Sequence, residues 1–188
     1  MTKQTKKSWL LLALVGGLML GSCKKESPKP EDENELITTV KLTFTENGTT
    51  NAQTFTWKDL DGDGGMAPTI QAITLKSSRT YKVEVAFLDE SKTPAEDITQ
   101  EIKKEADEHL VVFTASPVSL FTYTATDKDS KNLPLGLIGN LTTGVTNVGT
   151  LRLQLRHQPP VNGKPTKNGT PMPGSDDVNV IFPMNVIP

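Results

Sequence analysis

Two histidines and one run of alternating aspartates are the residues whose types and spacing could do chemistry in this chain. Glu105 and His109 stand four residues apart in a stretch of helical period. Both would project from one helix face, a spacing that suits a shared transition metal. His157 keeps phase with Leu151, Leu153 and Leu155, so its ring should point toward the core or lie at its rim. A polar ring placed there needs a partner. Glu105, His109 and His157 together would form a three-ligand zinc site. The same residues also fit separate roles, with His109 closing a helix, where the dipole favours it, and His157 hydrogen-bonded near a strand end. The second constellation is Asp59-Leu60-Asp61-Gly62-Asp63-Gly64. Carboxylates at alternate positions with glycine at the sixth can wrap calcium, and Met66 fills the apolar eighth position. Ile70 stands at the twelfth position, where an EF-hand needs a bidentate Glu, and Pro68 blocks an exiting helix. A looser calcium loop at Asp59, Asp61 and Asp63, or a plain polar turn, remains. Asp127 and Asp129 begin a similar pattern that Lys131 breaks.

The only cysteine, Cys23, closes a different motif. Lys3, Lys6 and Lys7 precede an apolar run from Trp9 to Leu20, which is short for a membrane span and fits a secretory signal. Leu20-Gly21-Ser22-Cys23 resembles the lipobox of bacterial lipoproteins. The resemblance implies cleavage before Cys23, diacylglycerol on its thiol and acylation of the new amino terminus. An ordinary signal peptide with an incidental cysteine is the simpler alternative. Cleavage would remove residues 1–22, with three lysines and no acid, so 17 basic residues would face 22 acidic ones, a net charge of −5 against −2 for the full chain. An acidic exported domain argues against nucleic-acid binding. With Cys23 acylated, no thiol remains for a disulfide, so packing or metal must hold the fold.

Residues 23–35 are charged, contain Pro28 and Pro30, and offer nothing to bury, which predicts a flexible tether. Lys24-Lys25-Glu26 partly resembles the surface-export tails of Bacteroidota lipoproteins, with Ser27 where a second acid is usual. From residue 36 to 188 the pattern predicts one domain. Val40, Leu42 and Phe44 alternate with polar residues, and Asn47-Gly48 is a hairpin signal. Further strands are expected around Phe55–Trp57, Ile73–Leu75, Tyr81–Phe87, 110–114, 120–126, 137–141, 151–157 and 178–186. One helix is expected over about 93–108, with Thr93 as N-cap, Pro94 as first helical residue and Glu96 completing a capping box. Ile98, Ile102 and Ala106 form its apolar stripe. Residues 159–177 read as an unusually long loop. Pro183 suits an edge strand. The fold class is all-β, an immunoglobulin-like β-sandwich with one inserted helix.

Six stretches carry a wider resemblance: ELITTVKLTF (35–44), FTWKDLDGDGG (55–65), EDITQEIKKEADEHLVVF (96–113), TYTATDKDSKNLPLGLIGNLTTG (122–144), LRLQLRHQPPVNGKP (151–165) and VNVIFPMNV (178–186). They resemble a family of small Bacteroidota outer-membrane lipoproteins, often labelled with the type 1 periplasmic-binding fold. That fold needs two lobes of alternating βαβ units and roughly twice this length, so the strand pattern sets the expected fold. The resemblance implies lipid anchoring at the outer membrane, facing periplasm or cell surface, beside TonB-dependent uptake receptors, with no established activity. The chain has no G-x-S-x-G, no phosphate loop and no H-E-x-x-H. The expected function is a non-enzymatic accessory or binding lipoprotein. The alternative is a metal-binding lipoprotein that uses His109, His157 and Glu105, or the aspartate loop.

Overall fold

The computed structural model describes residues 36–188, and the signal peptide, Cys23 and tether expected upstream lie outside the described residues. Alternation of apolar and polar side chains makes the strands. In β1 (Thr39–Glu46) Val40, Leu42 and Phe44 are wholly buried, while the residues between them face outward or sit half-buried. Gly48 turns the chain with φ of 81°, which costs a glycine little, and β2 (Ala52–Lys58) returns beside β1. A single 3₁₀ turn at Gly62–Gly64 leads to β3 (Thr69–Ile70) and β4 (Ile73–Lys76). The long strand β5 (Thr80–Asp89) buries Tyr81, Val83, Val85 and Phe87 and lies along the other side of β1.

After β5 come the short β6 (Glu96–Asp97), α1 (Thr99–Lys104), β7 (His109–Ser116), β8 (Phe121–Ala125), β9 (Ile138–Thr143), β10 (Asn147–His157) and β11 (Ser175–Ile187). One sheet runs β3-β2-β1-β5-β9-β8, with β6 pairing the end of β5; the other runs β4-β11-β10-β7. All pairings are antiparallel except β4 with β11. The inner faces of both sheets meet in a single core: Leu42, Phe44 and Phe87 from one, Leu151, Leu153, Leu155, Phe182 and Met184 from the other. This is an all-β sandwich. No helix among the described residues is long and apolar enough to cross a membrane.

The helix differs from expectation. It spans Thr99–Lys104 instead of 93–108. Thr93 does not cap it, because Glu96 and Asp97 are taken up as a strand against Leu88 and Asp89. The cap position itself holds Ile98, which has no side-chain oxygen to offer, and the Asp97 carboxylate accepts the Thr99 N–H instead at 3.1 Å. The Thr99 hydroxyl then donates to the Phe87 carbonyl and accepts the Phe87 N–H, so the helix start is docked on β5. Ile98 and Ile102 are buried as the stripe required, and Ala106 packs on the core from the turn beyond the helix.

Two other expectations change with tertiary context. β11 is an inner strand, yet its pairing with β4 begins at Met184, one residue after Pro183. The missing proline donor is therefore tolerated where β4 has not yet started. Residues 158–174 are the expected long loop, but they are pinned down. Gln158 is buried and donates to the Thr170 and Pro173 carbonyls, and Lys167 is buried beneath the loop.

Candidate functional site

The register of β7 and β10 places His109 directly opposite His157. Residues paired across two antiparallel strands share a face, so both rings lie on the inward side, at the end of the leucine ladder. The rings stack, with centroids 4.9 Å apart and planes 6° from parallel. His109 is 6% exposed. The His157 side chain keeps 23% of its surface in solvent. The expected inward phase of His157 holds, and it sits at the rim; the buried histidine is His109.

His109 is the first residue of β7 and lies outside the helix. Its Nδ1 is 3.1 Å from the Glu105 carbonyl oxygen. A carbonyl only accepts, so Nδ1 carries the proton and the neutral ring leaves Nε2 with its lone pair. The same carbonyl also accepts the Glu108 N–H at 2.9 Å, so it holds both the turn after α1 and the ring. Burial pushes the His109 pKa down to about 4, against the Glu105 carbonyl contact and with help from the charges of His157 and Lys167.

Carboxylates surround the pair. Asp177 spans both rings, with Oδ2 3.6 Å from His109 Nε2 and Oδ1 3.9 Å from His157 Nδ1. Glu108 Oε2 lies 3.9 Å from His157 Nε2. Glu105 Oε2 is 4.0 Å from His109 Nδ1, and its side chain is half-exposed. Asp177 reaches this position through an irregularity in β11. Leu155 pairs with Val178 and Arg156 with Asp176, so Asp177 is the extra residue of a bulge. A bulge re-aims one side chain against the strand's alternation. Arg156 secures the turn by pairing with Asp176 at 2.6 Å and donating to the Gly174 carbonyl. Gly174 must be glycine: its φ is 92° and a Cβ would meet the His157 carbonyl oxygen at 2.0 Å.

Behind the histidines lies a buried ion pair. Lys167 Nζ is 2.9 Å from Asp129 Oδ2, with both side chains 0% exposed. It also donates to the Ala106 carbonyl at 2.7 Å. Asp129 Oδ1 accepts the N–H groups of Lys131 and Leu133. Burial would raise the Asp129 carboxyl, but Lys167 and these N–H groups outweigh it and hold its pKa below the usual range. The Asp127 carboxylate accepts the N–H groups of Gly136, Leu137 and Ile138. The partial aspartate motif at 127–129 is thus a loop-holding device.

The structure therefore brings together His109 and His157 but not Glu105 as a third ligand. The Glu105 side chain faces the nitrogen whose proton its own carbonyl already holds. Asp177 and Glu108 escape a reading by period because a bulge and a turn point them at the rings. The local signal for Asp177 is the long loop ending in Asp176-Asp177 before an alternating strand. The aspartate loop is a turn: Asp61 Oδ2 accepts the Met66 N–H at 3.2 Å, and the Gly64 N–H meets the Asp61 carbonyl at 3.1 Å. Asp59 Oδ1 is buried without a hydrogen-bond partner, and the Asp63 side chain lies outside the described part of the structure. Among the described residues, no group of three His, Cys, Asp or Glu side chains is placed to hold a metal ion. The chain matches no family model, no curated protein and no solved structure.

Proposed function

We propose that the chain is a lipid-anchored, non-enzymatic accessory or binding lipoprotein of the outer membrane, of the small Bacteroidota type that its sequence resembles. The observation that carries this reading is Leu20-Gly21-Ser22-Cys23 at the end of an apolar run that follows three lysines. The first strand of the sandwich starts at Thr39, a short charged segment after Cys23, as a tethered domain requires. The resemblance further suggests work beside a TonB-dependent uptake receptor.

The test is the mass of the mature amino terminus. A peptide that begins at Cys23 and carries acyl chains is expected, and Cys23→Ala should leave the protein uncleaved or release it from the membrane fraction. An unmodified Cys23, or cleavage at another bond, would end this reading. Protease treatment of intact cells separates the leaflets: digestion of the domain places it on the surface, and protection places it in the periplasm. Co-purification of a TonB-dependent receptor from detergent-solubilised outer membranes, lost on deletion of the sandwich domain, tests the partner.

A further inference from the structure

We propose that one end of the sandwich is a membrane-contact surface, where Val118, Val145 and Val148 enter a lipid bilayer and Lys76 and Arg79 meet its anionic headgroups. The contact does not depend on the lipid anchor. It rests on exposed apolar side chains that the backbone gathers in one place. Val118 in the β7–β8 turn is 86% exposed, Val145 in the β9–β10 turn 71% and Val148 at the start of β10 70%. Single exposed apolar residues are ordinary on a surface, but three on adjoining loops form a patch.

Register and hydrogen bonds make these loops one surface. β7 ends at Ser116 opposite Thr150, β8 begins at Phe121 opposite Thr143, and β5 begins at Thr80 opposite Thr142. The Gly144 N–H donates to the Leu120 carbonyl at 2.9 Å, and the Ser78 N–H donates to the Gly144 carbonyl at 2.9 Å. A Cβ on Gly149 would meet the Ser116 carbonyl oxygen at 2.1 Å and Pro117 at 2.8 Å, so β10 lies tight against the turn that carries Val118. The valines are thus held outward on a fixed backbone. Their β-branched side chains are stiff and lose little freedom on insertion.

The charges beside them suit a phosphate-bearing surface. The Lys76 and Arg79 side chains are more than half exposed and share the Glu46 carboxylate, at 3.8 and 3.5 Å, which leaves a positive excess there. Asp89, Glu90, Glu96 and Asp97 lie at the other end, beside Thr39, where the chain enters the sandwich. An apolar tip flanked by cations matches a bilayer interface, with valines at the acyl boundary and cations among the headgroups. The anchor of the proposed function would hold the domain near lipid, so the contact itself need only be weak.

The experiment uses residues 34–188, a compact unit that contains the core described above and lacks both the apolar run and Cys23. It is sedimented with vesicles of phosphatidylcholine alone and of equal parts phosphatidylcholine and phosphatidylglycerol. Binding to the anionic vesicles is expected, weaker in high salt and weaker on the neutral vesicles. Val118→Ser combined with Val145→Ser should weaken it by at least about tenfold, and Arg79→Gln should weaken it on the anionic vesicles alone. Val161→Ser, at the other end and also exposed, should leave it unchanged. Unaltered thermal midpoints are expected for these surface variants, and Val148→Ser replaces either valine change that lowers the midpoint. The proposal is overturned if the anionic vesicles do not bind the domain, if the double variant binds as well as the parent, or if Val161→Ser weakens binding as much. Sedimentation equilibrium without vesicles should show a monomer. A dimer that the double variant abolishes would assign the valines to a second copy of the chain and overturn the lipid contact. Because Cys23 is absent from this protein, failure of the anchor reading leaves these results untouched.

Discussion

At the scale of single residues, His109 should make stability depend on pH. Its ring is buried and neutral, with a pKa lowered to about 4, while the unfolded chain offers a histidine near 6.5. The unfolded state therefore binds the proton first as pH falls. Stability is fully present above about pH 6.5, falls by about 1.4 kcal/mol per unit below it, and has lost about 3 kcal/mol by pH 4. The groups that face this ring are Glu105, Asp177, His157 and Lys167, with Glu108 on the far side of His157. Urea unfolding of chelator-treated protein across this range should show the loss, and imidazole titration by nuclear magnetic resonance should find His109 neutral down to about pH 4. A His109 titration near 6.5 would show that Asp177 and Glu105 offset burial, and one above it that they outweigh burial. The phase of His157 was legible because strand alternation is local. That His109, not His157, is the buried ring was not legible, because burial here depends on the turn after α1 and on the distant loop carrying Lys167.

At the scale of elements, the helix shows how a convincing local signal loses to pairing. Thr93, Pro94 and Glu96 spell a helix start, yet Glu96 and Asp97 gain strand hydrogen bonds to β5 and Thr99 anchors on Phe87. The effective cap is Asp97, whose pKa is lowered by its hydrogen bonds to Thr99 despite the opposing effect of burial. Asp97→Ala should therefore cost about 1 kcal/mol of stability, whereas Thr93→Ala should stay within about 0.5 kcal/mol. Denaturant midpoints of the two variants decide between the caps: equal losses, or a larger loss at Thr93, would contradict the docking of the helix start on β5. In β11 the local signal holds and then stops short. Val178, Val180, Phe182 and Met184 announce the strand, but its alternation fails one residue earlier, where the bulge presents Asp177 inward.

At the scale of the whole molecule, Lys167 ties together segments far apart in the chain. It joins the 158–174 loop to Asp129 in the β8–β9 connection and to the Ala106 carbonyl after α1. Removing one member of a buried pair strands the other charge, so Lys167→Met should destabilise by about 3–5 kcal/mol. Lys167→Met combined with Asp129→Asn should recover part of that loss, since no buried charge then remains unpaired and the amide oxygen introduced at position 129 still accepts the Lys131 and Leu133 N–H groups. Thermal and urea unfolding of both variants measures this. A single variant as stable as the parent would mean that Asp129 finds water or protonates, and that the hydrogen bonds of Gln158, Thr166 and Arg156 suffice to hold the loop.

What the amino-acid order determined by itself was whatever repeats over a few residues. Alternation in β1, β5, β10 and β11 predicted strands and their buried faces, because side-chain direction in a strand depends only on neighbouring backbone angles. The lysines, apolar run and Leu20-Gly21-Ser22-Cys23 are equally local and set the expectation of a lipid anchor. Only the tertiary structure decided that His109 meets His157, forty-eight residues later in sequence. Only the tertiary structure decided that Asp177 is the extra residue of a bulge, and that Lys167 is buried against Asp129. These contacts follow from strand register and from which loop covers which sheet end. Both are chosen by the packing of the entire core, and no short stretch of sequence carries that information.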